Sequence, residues 1–343
     1  MTPLKQAFYT GIRFMPIALL KSLNPHRIIL PYQHLVNDEQ VAHIKHLYPF
    51  KGTKAFAKDI DYLLKHFKPL SVEDILQHIN AGTPLPQNGF LLSFDDGLRE
   101  VKTHIAPLLE QKGVPAAFFI NTAFLDNKEL FYNMKVSLLI ESMVKQQVSP
   151  AQLERMAEIM GLPGRVSRGE LQQRIRQITY SNKQLADELG EVAGLDFQSF
   201  LREKQPFLNS DEVQTLVDKG FAIGGHSIDH PYYTSLTLEQ QIQQTLGSVN
   251  PLVERFQLPY KIFAFPHYDT GVSKAFFDAM LHVPNPPLDL IFGTSNHKQD
   301  ISPRILHRFN CERPAIDIQS AVKGILAYTI GNTYRGKQIV HRS

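Results

Sequence analysis

Two short segments hold the groups with most chemical promise. Asp95 and Asp96 stand side by side behind the apolar run Leu91-Leu92-Ser93-Phe94 and in front of Gly97. His226 and His230 lie four residues apart, behind Gly224-Gly225 and before Pro231. One carboxylate and two imidazoles make a donor set for a divalent metal, and they leave a second carboxylate free to take a proton from an attacking water. Adjacent carboxylates repel unless a cation is near. In extended chain, neighbouring side chains point to opposite sides, so the two aspartates can divide these tasks. Asp-Gly by itself is a common turn pair, and the glycines and proline around the histidines argue for a loop rather than a helix. Taken together the two segments point to a metal-assisted hydrolase.

Other groups stand at similar places. The run Phe263-Ala264-Phe265 ends at Pro266 and His267. It reads as a strand stopped by a proline, with a loop whose backbone N–H groups are candidates to stabilise an oxyanion. His34 follows the first apolar run and is a candidate to line the same mouth. His267 and His307 are candidate general acids, and Asp229 is a loop-stabilising group. Cys311 is the single cysteine, which excludes an internal disulfide and a cysteine-based zinc knuckle. It reads as a small core residue, and the composition fits a reducing compartment. There is no Gly-x-Ser-x-Gly elbow, no P-loop and no Gly-x-Gly-x-x-Gly behind a strand, so serine-hydrolase, nucleotide-triphosphatase and dinucleotide chemistry are excluded.

The elements that must position these residues alternate. Strands are predicted at residues 28–30, 90–94, 116–120, 221–225, 261–265 and 290–294. Phe56, Ile60, Leu63, Leu64 and Phe67 recur at helical spacing. Ser71 with Asp74 predicts a capping box for a helix stopping by Gly82; Asn209 with Glu212 and Thr237 with Gln240 predict two more, the first ending at Gly220. Residues 99–112 read as a helix bent at Pro107 and ended by Gly113, residues 272–281 as another, and residues 316–330 as the last. Repeated β-α units imply a parallel sheet, closed as a barrel or open and doubly wound. Asp95, Asp96, His226, Pro266 and His267 all fall at C-terminal ends of predicted strands, where α/β barrels place their chemistry. The rhythm breaks over residues 125–206. That stretch is helical in pattern, with a polar, basic middle around Arg165–Arg176, and reads as an insertion serving as a lid or a partner surface.

The chain has 343 residues, 36 Lys+Arg against 33 Asp+Glu, and a formal net charge of +3. The length suits a single α/β domain over residues 1–343. So weak an excess, with no dense basic run, excludes an electrostatic case for nucleic acid. No stretch approaches the roughly 18–20 apolar residues of a membrane span. Residues 14–20, behind Arg13, read as a short helix packed on the domain or on a membrane surface rather than as a secretion signal. That reading favours a cytoplasmic protein, at the inner membrane face.

These motifs resemble those of the polysaccharide deacetylase family, the NodB-homology group of carbohydrate esterase family 4. Ser93-Phe94-Asp95-Asp96-Gly97 is similar to its Thr-Phe-Asp-Asp-Gly motif, His226 to His230 matches its His-Ser/Thr-x-x-His motif, and Phe263 to Tyr268 resembles its third. The resemblance covers roughly residues 28–124 and 208–308. It implies a distorted (β/α) barrel with a helical insertion at 125–206, and metal-dependent removal of N- or O-acetyl groups from a carbohydrate. Carried over, Asp95 is the general base, and Asp96, His226 and His230 hold the metal, with zinc the expected ion. Pro266 and His267 border the oxyanion. There are departures: the position two before Pro266 is Ala264, where many members carry an arginine that orients the catalytic aspartate. The chain has no Trp, so the Asp-x-x-Asp-Trp motif is absent. Leu306-His307-Arg308 is closer to the family's Pro-Arg-Ile ending than to its Leu-x-His, with Arg308 as the matching residue. The expected substrate is a surface glycan or a cell-wall precursor. The competing readings are a small-molecule amide such as a ureide or cyclic imide, and a metal-binding but inactive glycan- or partner-binding scaffold.

Overall fold

The apolar runs are unbroken rather than alternating because each central strand is buried on both faces, as parallel sheets require. The protein is described here from a computed structural model that covers residues 10–162 and 166–343; Arg165, in the basic stretch of the insertion, lies outside the described residues. The strands are β1 (Ile28–Ile29), β2 (Pro31–Gln33), β3 (Lys68–Pro69), β4 (Gly89–Phe90), β5 (Leu92–Phe94), β6 (Ala116–Ile120), β7 (Ala222–Gly225), β8 (Ile262–Ala264), β9 (Leu290–Gly293), β10 (Ile305–His307) and β11 (Phe309–Asn310). The main sheet runs β10-β9-β8-β7-β6-β5-β2-β11, with every neighbouring pair parallel.

β10 and β11 are two pieces of one stretch, separated only by Arg308. β10 pairs with β9, and β11 pairs with β2 on the far side. The sheet therefore rolls into a nearly closed distorted (β/α) barrel, as the resemblance implied. A small parallel sheet, β1-β4-β3, splays from the N-terminal ends, where β1 and β4 run on into β2 and β5. The closing strand and the Pro31–Gln33 segment were not foreseen, because Gln33, His307, Arg308 and Asn310 interrupt the apolar pattern that marks the other strands.

Three of the expected capping boxes form, at Ser71–Asp74, Asn209–Glu212 and Thr237–Gln240. The helix behind β5 begins as a wide π turn over Val101–Ile105 and becomes an α-helix at Ala106–Gln111, so Pro107 sits in the first turn, where no N–H is needed. The last helix, Ile318–Tyr334, is longer than expected at its C-terminal end. Helices Thr53–His66, Ser210–Asp218 and Ile318–Tyr334 pack on the barrel through one apolar cluster that includes Phe56, Phe94, Phe118, Val213 and Leu326.

The stretch read as an insertion, residues 125–206, contains helices Tyr132–Val144, Pro150–Ile159, Arg168–Ile175, Leu185–Ala193 and Phe197–Lys204. Its core, around Leu139, Ile140 and Leu189, is continuous with Leu35, Val41 and Ile44 from the long loop behind β2. The insertion is thus built into the C-terminal face of the barrel and shares one core with that loop.

Candidate active site

Asp95 continues β5 by one residue, donating its N–H to the Gln33 carbonyl at 3.1 Å. The chain then turns sharply: Asp96 has φ +74 and Gly97 φ +63. A Cβ at position 97 would stand 3.2 Å from Ile120 Cγ2, so the turn needs glycine on both counts. His226 likewise extends β7, its N–H donating to the Ile120 carbonyl at 2.9 Å. Ser227 (φ +68) and His230 (φ +64) take left-handed conformations that cost non-glycine residues on the order of 1–3 kcal/mol each. The loop is held in that shape by Ser227 Oγ, which accepts the His230 N–H at 3.0 Å, and by Asn121 Nδ2, which donates to the His226 carbonyl.

The result brings Asp96, His226 and His230 together, with one donor atom from each within 4.8 Å of the others. His226 Nε2 lies 3.5 Å and His230 Nε2 3.2 Å from Asp96 Oδ1. All three are buried, yet Asp96 Oδ1 takes part in no hydrogen bond of good geometry. His226 Nδ1 faces the Ala264 carbonyl at 2.8 Å, which fixes the proton there and leaves the Nε2 lone pair turned toward Asp96. An unsatisfied carboxylate oxygen facing two imidazole nitrogens is what a divalent cation relieves, so these residues fit a metal.

A second group of the same residue types, Asp269, Asp300 and His307, is equally close-set, but its polar atoms are committed. Arg342 reaches both carboxylates at 2.5 Å, Thr294 donates to Asp269, and His307 bonds Asp300 at 2.8 Å while accepting the Ser295 N–H at 3.1 Å. It is an ion network tying Arg342 to the barrel. His307 is spent in it and does not face the Asp96 cluster.

Asp95 is held by Arg308, whose Nη1 and Nη2 donate to its two oxygens at 2.6 and 2.9 Å. Arg308 Nη1 also donates to Ser93 Oγ at 3.0 Å, and the guanidinium lies 4.6 Å over the Tyr32 ring. Burial favours the neutral acid, but Arg308, with His226 and His34, more than offsets it and Asp95 stays below the ordinary carboxylate range. Arg308 thus holds both Asp95 oxygens from a place in the chain far from position 264.

His34 faces the same cavity from the end of β2. Its Nδ1 lies 2.8 Å from Glu312 Oε2, while Glu312 Oε1 accepts the N–H groups of His34 and Leu35 at 3.0 and 2.8 Å. Burial pulls the imidazole down, but Glu312 more than offsets it, with smaller help from Asp96 and Asp95, and the net value is about 10. His267 is the opposite case. It stacks on Tyr232 at 3.7 Å with its edge toward His230, and burial pushes it down to about 2, so it is neutral.

The cavity between these groups measures about 500 Å³. His34, Asp95, Asp96, His226, His230 and His267 line it, Pro266 is buried beside it, and Arg308 lies beneath Asp95. Phe131, Asn133, Val136 and Arg176 of the insertion and His46 and Tyr48 of the loop form further wall. Glu312 was not foreseen: it lies 278 residues from His34, and no local pattern marks it.

The sequence model described as polysaccharide deacetylase matches residues 83–159 and 175–276, just over half of the chain. The chain belongs to the polysaccharide deacetylase family. Solved structures agree on the fold of this deacetylase. The Streptococcus pyogenes deacetylase PplD, in complex with acetate, is 10% identical over 88% of this chain and 99% of its own, with a TM-score of 0.55. IcaB from Ammonifex degensii is 13% identical over 88% and 98%, with a TM-score of 0.52. A de-N-acetylase from Aggregatibacter actinomycetemcomitans is 14% identical over 88% and 100%, with a TM-score of 0.53. Likeness at these identities is one of fold. No curated protein matches the sequence significantly.

Proposed function

We propose that this deacetylase hydrolyses the N-acetyl group of an amino sugar in a glycan or glycan precursor, with zinc held by Asp96, His226 and His230. The observation that carries the reading is a pair of proton-handling groups of opposite charge, each fixed by its own buried partner. Asp95 is held ionised by Arg308, and His34 is held protonated by Glu312.

The divalent ion would supply positive charge that polarises the acetyl carbonyl and eases deprotonation of water. Asp95 takes the proton from the water as its oxygen bonds to the carbonyl carbon. His34 gives a proton to the amide nitrogen as the C–N bond breaks, so acetate and a free amine leave. Arg308 keeps the Asp95 oxygens in one orientation through both steps, and the Ala264 carbonyl keeps His226 in the ligating tautomer. Tyr48, Phe131 and Tyr232 give the cavity apolar walls suited to the C–H faces of a sugar ring.

A second reading, hydrolysis of a small cyclic or linear amide, draws support from the insertion residues that wall the cavity. The same base, acid and ligands serve it. The inactive scaffold is disfavoured because both proton-handling groups are present and paired.

The test is metal content by elemental analysis of the wild type, Asp96→Ala, His226→Ala and Asp95→Asn, followed by acetate release from N-acetylglucosamine oligomers. About one ion per chain, lost in the first two variants and retained without turnover in Asp95→Asn, is the expected result. No metal in the wild type after supply of zinc would overturn the reading. Turnover of small amides in place of the oligomers would select the second reading.

A further inference from the structure

One flank of the barrel, along the last helix, carries a surface of unusual charge. Residues 1–37 and 318–343 contain no Asp or Glu and eight Lys or Arg, while the 280 residues between them hold 28 cations and 33 carboxylates. The described parts of the two segments lie together. Lys323 Nζ donates to the Arg13 carbonyl at 2.7 Å, Gln338 bonds His26 at 2.8 Å, and Ile12 and Leu20 share an apolar cluster with Val322 and Leu326.

Helix Ile17–Leu23 buries Leu20 but turns Leu19 and Leu23 outward, 46% and 48% exposed. Phe14 just before it is 83% exposed, and Tyr334 at the end of the last helix is 81% exposed. Arg13, Arg27, Arg335 and Lys337 are exposed nearby, and among the described residues none of them pairs with a carboxylate.

The placement follows from one contact. His297 bonds the carbonyl of Ile28, the first residue of β1, and also Thr329 Oγ1, at 2.6 and 3.0 Å. Thr329 is therefore level with the N-terminal ends of the strands. Tyr334 lies about 7 Å further along the helix, since each residue rises 1.5 Å. Leu23 stands five residues before Ile28, the first residue of β1. The catalytic groups stand at the other end of the barrel.

We propose that this face docks on the surface of an anionic lipid bilayer, with Phe14, Leu19 and Leu23 entering the interfacial zone and Arg13, Arg27, Arg335 and Lys337 against the headgroups. Exposed apolar side chains rimmed by unpaired cations, without a single acid in either segment, match an apolar and negative partner. The inference is independent of the proposed reaction, because none of these residues lines the cavity and its test does not use turnover.

The experiment is flotation of the full chain with vesicles of phosphatidylcholine alone and of phosphatidylcholine with phosphatidylglycerol. Two exposed double variants accompany the wild type: Phe14→Ser with Leu19→Ser, and Arg335→Gln with Lys337→Gln. The wild type should float with anionic vesicles, far less with neutral ones, and should be released by high salt. The charge variant should lose roughly 20- to 30-fold in partition coefficient, at about fivefold per cation. The apolar variant should also lose binding, and both should keep the wild-type Tm. Absence of wild-type flotation with anionic vesicles would overturn the proposal, as would equal flotation of wild type and variants. A concentration-dependent dimer broken by Phe14→Ser with Leu19→Ser, without vesicle binding, would assign the face to a second copy and overturn it too.

Discussion

Arg308 meets Asp95 end-on, two nitrogens to two oxygens at 2.6 and 2.9 Å, where neither side chain reaches solvent. Arg308 is also the residue at which the last strand changes partner: its N–H donates to Gly293 of β9 at 3.0 Å, and the next N–H, of Phe309, donates to Leu30 beside β2 at 3.0 Å. Barrel closure and the orientation of the Asp95 carboxylate thus pass through one residue.

Replacing the planar fork with a point charge tests that coupling. Arg308→Lys keeps the charge but cannot bridge both Asp95 oxygens in this geometry. The expected result is a fall in kcat on the order of 100-fold, typical of reacting groups misplaced by about 1 Å, with metal content unchanged. Steady-state kinetics beside elemental analysis reads both. A kcat equal to the wild type would show that Asp95 needs no clamp.

The His34–Glu312 pair makes a pH prediction. His34 lies above its ordinary value, so its protonated form contributes to stability fully below about pH 6.5 and loses that contribution as pH rises through about 10. The same proton is the one proposed for the leaving amine. Glu312→Gln keeps a hydrogen-bonding side chain and removes the charge. The alkaline limb of the kcat–pH profile should therefore move to lower pH in this variant while the acid limb stays. An unmoved alkaline limb would remove His34 from the proton-donor role.

The barrel was legible because most of its strands are apolar runs bounded by caps and glycines, and the convergence of Asp96, His226 and His230 because both motifs sit directly behind such runs. The closing strand was not legible. His307, Arg308 and Asn310 are polar because they meet an ion network, the buried Asp95 carboxylate and the mouth of the barrel, and that need erased the strand pattern. Arg308 was visible only through family likeness, which could not say that it clamps Asp95. Glu312 left no local trace, because its partner comes from the far end of the chain and the contact exists only once the barrel closes. The insertion was legible as helices, but its role as cavity wall depends on Phe131 and Val136 packing beside a loop about ninety residues earlier.

Cys311 offers a chemical probe of that closure. It follows β11 directly, is 2% exposed, and contacts Gln33 Nε2 and the Tyr32 carbonyl at 3.4 Å each. Burial pushes its thiol up to about 12. A thiolate-selective reagent should leave the native protein unlabelled at neutral pH and label one site after denaturation. Rapid native labelling would mean that the β2–β11 seam opens readily.

The last prediction concerns how residues 125–206 are tied to the loop that carries His230. Asp229, next to His230, accepts the Tyr180 hydroxyl at 2.8 Å and Lys183 Nζ at 2.6 Å from the insertion, and Gln244 Nε2 at 2.9 Å from the helix behind. Removing one hydrogen bond to a charged group costs about 1.5–3 kcal/mol where it is buried. This one is partly solvated, so the cost falls at or below the lower bound. Tyr180→Phe leaves His230 its own anchor at Ser227 Oγ, so metal content should hold. The insertion loses one of its two ties to the loop, which loosens the cavity wall before it loosens the chemistry. The expected signature is a KM raised several-fold, up to about tenfold, with kcat nearly unchanged. A collapse of kcat together with metal loss would instead show that Tyr180 acts through Asp229 to hold His230 in its left-handed turn.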